Sequence, residues 1–253
     1  MYKMLTNKTA LITGSNRGIG FSILENFAQQ GCNIYAHSRK ESKQFKIQTK
    51  EMALEYGVEI NHLSFDLRNS RDIREAIMPI IKSKIPVDVL VNSAGIIHGG
   101  LFQMTPISNI RDVFDINFFG MLEITQLISR YMVRNKKGSI VNIASVAGID
   151  LSAGNSAYGV SKAAVIAFSK TLSDELRNYG IRVNAIAPSL TNTDMANTSE
   201  AKKERKLLSM STNGPFERMA GPNEIADLVS FLASDNSSFI NGQVIRIDGG
   251  NKF

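Results

Sequence analysis

Short β-rich apolar runs alternate along this chain with longer stretches that read as helices. The runs are Thr9–Thr13, Asn33–Ala36, Glu59–Phe65, Val87–Asn92, Ser139–Ala144, Arg182–Ala187 and Val244–Ile247. Several are apolar at nearly every position, not every second one, which predicts parallel strands covered on both faces. The stretches between them predict helices over about Gly18–Gln30, Glu41–Tyr56, Ser70–Lys84, Asn109–Arg134, Ser156–Asn178 and Pro222–Ala233. Gly31 suits a left-handed cap at the end of the first. This regular alternation predicts an α/β fold, a doubly wound seven-stranded parallel sheet with helices on both faces. The expected strand order is 3-2-1-4-5-6, with the seventh strand added at the edge. Right-handed crossovers then bring all strand C-termini to one rim, so residues just after each strand are the candidates for function. With no repeat or low-complexity linker, residues 1–253 are expected to form one domain. The long polar segment at about 190–216 is a candidate lid.

Composition narrows the class without deciding it. Of 253 residues, 43% are hydrophobic and 21% charged, as in ordinary globular proteins. No run approaches about 18 uninterrupted apolar residues, so no membrane span is expected. Met1–Ala10 does not read as a signal peptide. The single cysteine, Cys32, rules out an internal disulfide. Together these point to a cytoplasmic protein. Lys and Arg number 29 against 23 Asp and Glu, a formal charge of +6. That is compatible with an ordinary solvated surface and with attraction to an anionic partner, such as a phosphorylated cofactor or an acidic carrier protein. The basic residues are scattered apart from clusters at Lys40–Lys50 and Lys202–Lys206, and no nucleic-acid-binding pattern accompanies them. No metal is expected.

After the first strand comes Gly14-Ser15-Asn16-Arg17-Gly18-Ile19-Gly20 and then a helix. Gly14 permits a tight turn, Gly18 lets backbone approach a pyrophosphate, and Gly20 lets the helix lie close to the sheet. The helix N-terminus offers unpaired N–H groups to phosphate. A glycine trio alone is weak evidence; its place inside a βαβ unit is what makes it informative. The second strand runs into Ser38-Arg39-Lys40, with no acid until Glu41. Ser38 can donate to a 2′-phosphate, and Arg39 and Arg17 can fork onto it, so the expected cofactor is NADPH, not NADH.

Tyr158 and Lys162 stand four apart, on one face of a helix. A free phenol has a pKa of about 10, and a neighbouring ammonium lowers it, which suits a proton donor near neutrality. Ser145 follows the fifth strand at the functional rim, where its hydroxyl can donate to a substrate carbonyl. Asn117 is a poor mid-helix residue, and a local kink with a bound water is a reason to find it there.

Taken in order, Thr13 through Gly20, Asp66-Leu67, Asn92-Ser-Ala-Gly95, Asn117, Ser145, Tyr158-x-x-x-Lys162 and Pro188 through Thr193 resemble the short-chain dehydrogenase/reductase family over essentially the whole chain. The resemblance implies a Rossmann-type fold and a catalytic tetrad of Asn117, Ser145, Tyr158 and Lys162. Tyr158 would be the general acid, Ser145 would polarise the carbonyl, Lys162 would tune Tyr158 and bind ribose, and Asn117 would hold a relay water. It further implies an adenine contact at Asp66 and Leu67, a ribose-side segment at Asn92, Ala94 and Gly95, and a carboxamide loop at Pro188, Thr191 and Thr193. Within the family the chain most resembles the 3-oxoacyl-[acyl-carrier-protein] reductase subgroup, through Ile181–Pro188, Thr193–Met195 and Ile240–Gly250. Lys136 and Lys137 can meet an acidic carrier. Departures are Ser93, Ser189, Tyr179 before Gly180, and a loop Ile96–Phe102 without the subgroup's Arg-Asp pair. Reduction of another ketone (a sugar, polyol or secondary metabolite) therefore stays open, as does a non-catalytic nucleotide-binding regulator. His98 reads as a loop residue. The family also implies a homotetramer built on the helices around Asn109–Arg134 and Ser156–Asn178 and on the C-terminal edge.

Overall fold

The computed structural model describes residues 3–83, 85–198 and 218–250. The strands are β1 Thr9–Ile12, β2 Asn33–Ser38, β3 Ile60–Ser64, β4 Val89–Asn92, β5 Gly138–Ile143, β6 Ile181–Pro188 and β7 Val244–Ile247. They form one parallel sheet in the order 3-2-1-4-5-6-7, as expected. The order reverses between β1 and β4, whose registers pair Leu11 with Leu90. A crevice opens at such a switch point, outside the strand C-termini.

The helices are α1 Gly18–Gln29, α2 Lys43–Tyr56, α3 Ser70–Ser83, α4 Ile107–Phe114, α5 Gly120–Asn135, α6 Tyr158–Leu176 and α7 Pro222–Ala233. Strand alternation divides the core between the two faces of the sheet. Ala10, Ile12, Val89 and Val91 face α1 and α7, against Ile23, Phe27, Val229 and Leu232. Leu11, Leu90 and Ile140 face the other way, against Ile73, Ile77, Ile124 and Leu176. Each such fully buried aliphatic chain contributes about 1.5–3 kcal/mol relative to exposure. β1 and β4 are accordingly buried at all four positions, the polar Thr9 and Asn92 included.

Helix ends follow local chemistry. α2 starts at Lys43, later than the expected Glu41, because Ser42 accepts from Phe45 N–H at 3.4 Å. It stops at Gly57, which is left-handed. Gly31 after α1 has φ 80°. The expected single helix Asn109–Arg134 is instead α4, a π-helical turn over Asp115–Phe119, and α5. Glu224 accepts from Gly221 N–H at 2.7 Å at the start of α7. Of the lid-like segment at about 190–216, residues 199–216 lie outside the described residues, as do Lys202–Lys206. Among the described residues, no helix is long and apolar enough to cross a membrane.

Candidate active site

A cleft of about 540 Å³ runs along the C-terminal rim, over the switch point. At one end is the glycine-rich turn. Gly14 has φ 67°, and a Cβ there would lie 2.7 Å from the Cα of Ala94, so the β1 and β4 loops touch through backbone alone. Thr13 locks the same junction: its Oγ1 accepts from Ser93 N–H at 3.0 Å and Ala94 N–H at 3.1 Å. A Cβ on Gly20 would collide with the Gly14 carbonyl, so glycine there sets the distance between α1 and β1.

His37 is the residue that sequence reasoning passed over. Its Nδ1 accepts from Gly14 N–H at 3.2 Å, and its Nε2 lies 3.0 Å from the Phe65 carbonyl, which fixes the tautomer with the proton on Nε2. Its ring lies 4.0 Å from that of Phe65. Burial pushes its pKa down to about 4, so the imidazole is neutral. Its carbonyl accepts from both the N–H and the hydroxyl of Ser15. The signal available beforehand was a histidine directly after the apolar run Ile34–Ala36 of a parallel strand.

Arg17, Arg39 and Lys40 line this end, and no carboxylate from β2 joins them. Ser38 does not line the cleft, because its hydroxyl donates to Lys40 O at 3.0 Å. Ser15 is likewise turned inward onto His37. Asp66 lines the cleft with Leu67. Its carboxylate accepts from Arg68 at 3.0, 3.1 and 2.6 Å, and that partner holds its pKa down to about 2. Charged Asp66 can still accept from an exocyclic amine.

Ser145, Tyr158 and Lys162 line the other end together. Ser145 caps a 3₁₀ turn by accepting from Ala147 N–H at 3.1 Å, which leaves the hydroxyl a proton to donate. Tyr158 opens α6, and Lys162 follows one turn later on the same face. Lys162 Nζ is 5.9 Å from the Tyr158 ring centroid and donates to Ile143 O at 2.7 Å. Burial pushes its pKa down to about 8. It remains mainly protonated at neutral pH, with two N–H bonds beyond the one given to Ile143.

Asn117 is buried behind this wall, inside the π-helical turn. Its Oδ1 accepts from Ile96 N–H at 2.8 Å, and its Nδ2 donates to Ile96 O and to Ser161 Oγ, both at 3.0 Å. The amide thus clamps the Gly95–Ile96 backbone against α6. The extra residue of the π turn is what aims it there. Asn92 also lies behind the wall, where Nδ2 donates to Thr125 and Asn142 and joins β4 to β5 and α5. Ala94 and Gly95 line the cleft, as do Asn16, Gly18, Ile19 and Gly20. From the far side, Pro188, Thr191 and Thr193 face the glycine turn; a Cβ on Gly18 would come 3.4 Å from Thr193 Cγ2. His98 does not line the cleft.

The residues therefore fit a dinucleotide: a backbone cradle at a helix N-terminus, two guanidinium groups, and a hydroxyl, phenol and ammonium together at the far end. Fold and site define a nucleotide-dependent oxidoreductase that acts between CH–OH and C=O. A family model described as enoyl-(acyl carrier protein) reductase matches residues 14–252. The 3-oxoacyl-[acyl-carrier-protein] reductase FabG of Chlamydia trachomatis is 35% identical over 251 residues, covering 99% of each chain. That of Thermotoga maritima is 36% identical over 246 residues, covering 97% of this chain and 98% of the relative. Among solved structures, a putative gluconate dehydrogenase from Agrobacterium tumefaciens has a TM-score of 0.87 at 28% identity, covering 99% of this chain and 98% of its own. Levodione reductase has a TM-score of 0.87 at 26% identity, covering 97% and 98%. The chain belongs to the short-chain dehydrogenase/reductase family, close to its 3-oxoacyl-[acyl-carrier-protein] reductases.

Proposed function

We propose that this protein is an NADPH-dependent reductase of a 3-oxoacyl thioester borne on an acyl carrier protein. The observation that carries the reading is the continuity of one cleft, with Arg17 and Arg39 at one end and Ser145, Tyr158 and Lys162 at the other. A bound dihydronicotinamide supplies the hydride. The chain's own residues do the rest. Arg39 and Arg17 take the 2′-phosphate, while the turn from Gly14 to Gly20 takes the pyrophosphate. Asp66 and Leu67 hold adenine, Ala94 and Gly95 border the ribose, and Pro188, Thr191 and Thr193 fix the carboxamide. Ser145 donates to the ketone oxygen, and Tyr158 gives that oxygen its proton. Lys162 holds ribose hydroxyls and favours the phenolate left behind. Asn117 acts by fixing the Ile96 backbone; with its amide spent on protein groups, a relay water would rest on backbone carbonyls.

The substrate end favours an apolar chain over a sugar. Ile96, Ile97, Leu190 and Met195 line the cleft, and Leu101, Phe102 and Leu151 are exposed on the adjoining loops. The extent of the match to the two 3-oxoacyl reductases supports the same choice. Reduction of another ketone is the second reading, favoured by the folds shared with levodione reductase and the gluconate dehydrogenase. A cytoplasmic setting, one domain and a homotetramer complete the proposal. The deciding experiment is to offer a 3-oxoacyl thioester beside a panel of cyclic and sugar ketones, following NADPH and NADH oxidation. The thioester with NADPH should give the highest kcat/KM; a cyclic ketone surpassing it would replace the substrate. Arg39→Asp should weaken NADPH about 10–100-fold and NADH far less. Equal losses would overturn the cofactor choice.

A further inference from the structure

The loop from Ser145 to Ala157 begins at the polarising hydroxyl and ends at the proton donor. Its first turn is fixed internally by Gly148 N–H to Ser145 O at 3.0 Å and Asp150 N–H to Val146 O at 2.8 Å. Its far part docks on the loop after β4 through Gly100 N–H to Gly154 O at 2.9 Å. Between these, Leu151, Ser152 and Ala153 are exposed. Asp150 stands where the fixed turn meets that exposed stretch, and it lines the cleft.

Its carboxylate leaves the loop and meets Arg246 on β7. Nη1 donates to Oδ1 at 3.0 Å, and Nη2 lies 2.7 Å from Oδ2. The same guanidinium donates from Nε to Asp248 Oδ2 at 2.8 Å, and Asp248 Oδ1 accepts from Gly250 N–H at 3.0 Å. The side chains of Arg246, Asp150 and Asp248 are 33%, 22% and 9% exposed. An exposed single pair would hold little; a planar guanidinium that hydrogen-bonds one oxygen of Asp150, ion-pairs with the other and is held from its other side by Asp248, partly shielded, is an arrangement in which an ion pair keeps its geometry. Arg246 itself does not line the cleft.

We propose that Arg246, acting through Asp150, is a positioning residue for ketone reduction: it pins the loop that sets Ser145 against Tyr158. The inference rests on the reading of the cleft as a reductase site. The sheet's edge strand then governs the substrate wall without touching substrate.

The test compares Arg246→Met, Asp150→Asn and the double variant in the full chain, by amide hydrogen exchange and by kinetics at saturating NADPH. Each single variant should exchange about 10-fold faster over residues 146–157 and raise the ketone KM about 10-fold, with kcat changing less. The double variant should be no worse than either single, because both remove one interaction. Arg246→Lys should recover only part, since an ammonium cannot fork. NADPH affinity should stay within about twofold. Wild-type exchange and KM in the single variants, additive losses in the double, or NADPH affinity falling in step would each overturn the pin. If the wild type reduces no ketone, the functional reading fails, and the exchange rates still decide whether the loop is pinned.

Discussion

At the glycine-rich end of the cleft, backbone packs on backbone, with Gly14 against Ala94 and Gly20 against Gly14, and two side chains, Thr13 and His37, take the N–H groups of Ser93, Ala94 and Gly14. At the other end, polar and charged side chains hold the geometry: the Asn117 amide bonds the Ile96 backbone, the buried Lys162 ammonium bonds the carbonyl of Ile143 on β5, and Arg246 pairs with Asp150. The difference matches the two tasks. On the proposed reading this turn takes a pyrophosphate through N–H groups at fixed spacing, which requires a turn that is stiff before anything binds. Proton transfer needs titratable groups whose charge is set by burial, and these must be carried on side chains.

The comparison can be broken in three places. The largest effect is expected for Tyr158→Phe, which removes the proton donor and keeps the ring. Turnover should fall about 10²–10⁴-fold while NADPH binding, followed by its fluorescence, stays near wild type. Undiminished turnover would move the acid elsewhere.

Next comes acid stability at the stiff end. Folded His37 does not take a proton until pH falls to about 4, whereas the unfolded imidazole takes one near 6.5. Its contribution is therefore fully present above pH 6.5 and lost as pH falls toward 4, by roughly 3 kcal/mol in all. Urea unfolding from pH 7 to pH 4 should show that loss, and His37→Asn should flatten it. An unchanged slope in the variant would mean that other groups dominate.

The smallest effect lies at the other end and has the opposite pH direction. The Lys162 ammonium, with its pKa pushed down to about 8 by burial, is present below pH 8 and lost above it. Reduction should decline about 10-fold between pH 7 and 9, and the decline should vanish when Lys162→Arg keeps the charge. A flat profile in the wild type would show that the ammonium is not needed for proton donation.

Much of this was legible in the chain. The near-continuous apolar strands announced a doubly covered parallel sheet, and the glycine spacing with Tyr158 and Lys162 pointed to residues that do line one cleft at the rim. The π-helical turn at Asn117 was legible only as an awkward residue in a helix, because its cause is a contact with Ile96, 21 positions away. Ser38 and Ser15 were expected to be open to the cleft and are turned inward, since strand alternation does not say which carbonyl a hydroxyl will find.

Sequence by itself determined the fold class and the strand order, because periodicity and turn chemistry are local properties of the chain; it also named the candidate reactive groups. Tertiary structure alone decided which groups are held and in what charge state. His37 became the keystone of the glycine-rich turn, Lys162 became a buried ammonium with a lowered pKa, and Arg246 became a neighbour of Asp150. Burial and long-range pairing set these outcomes, and neither exists until the sheet has closed.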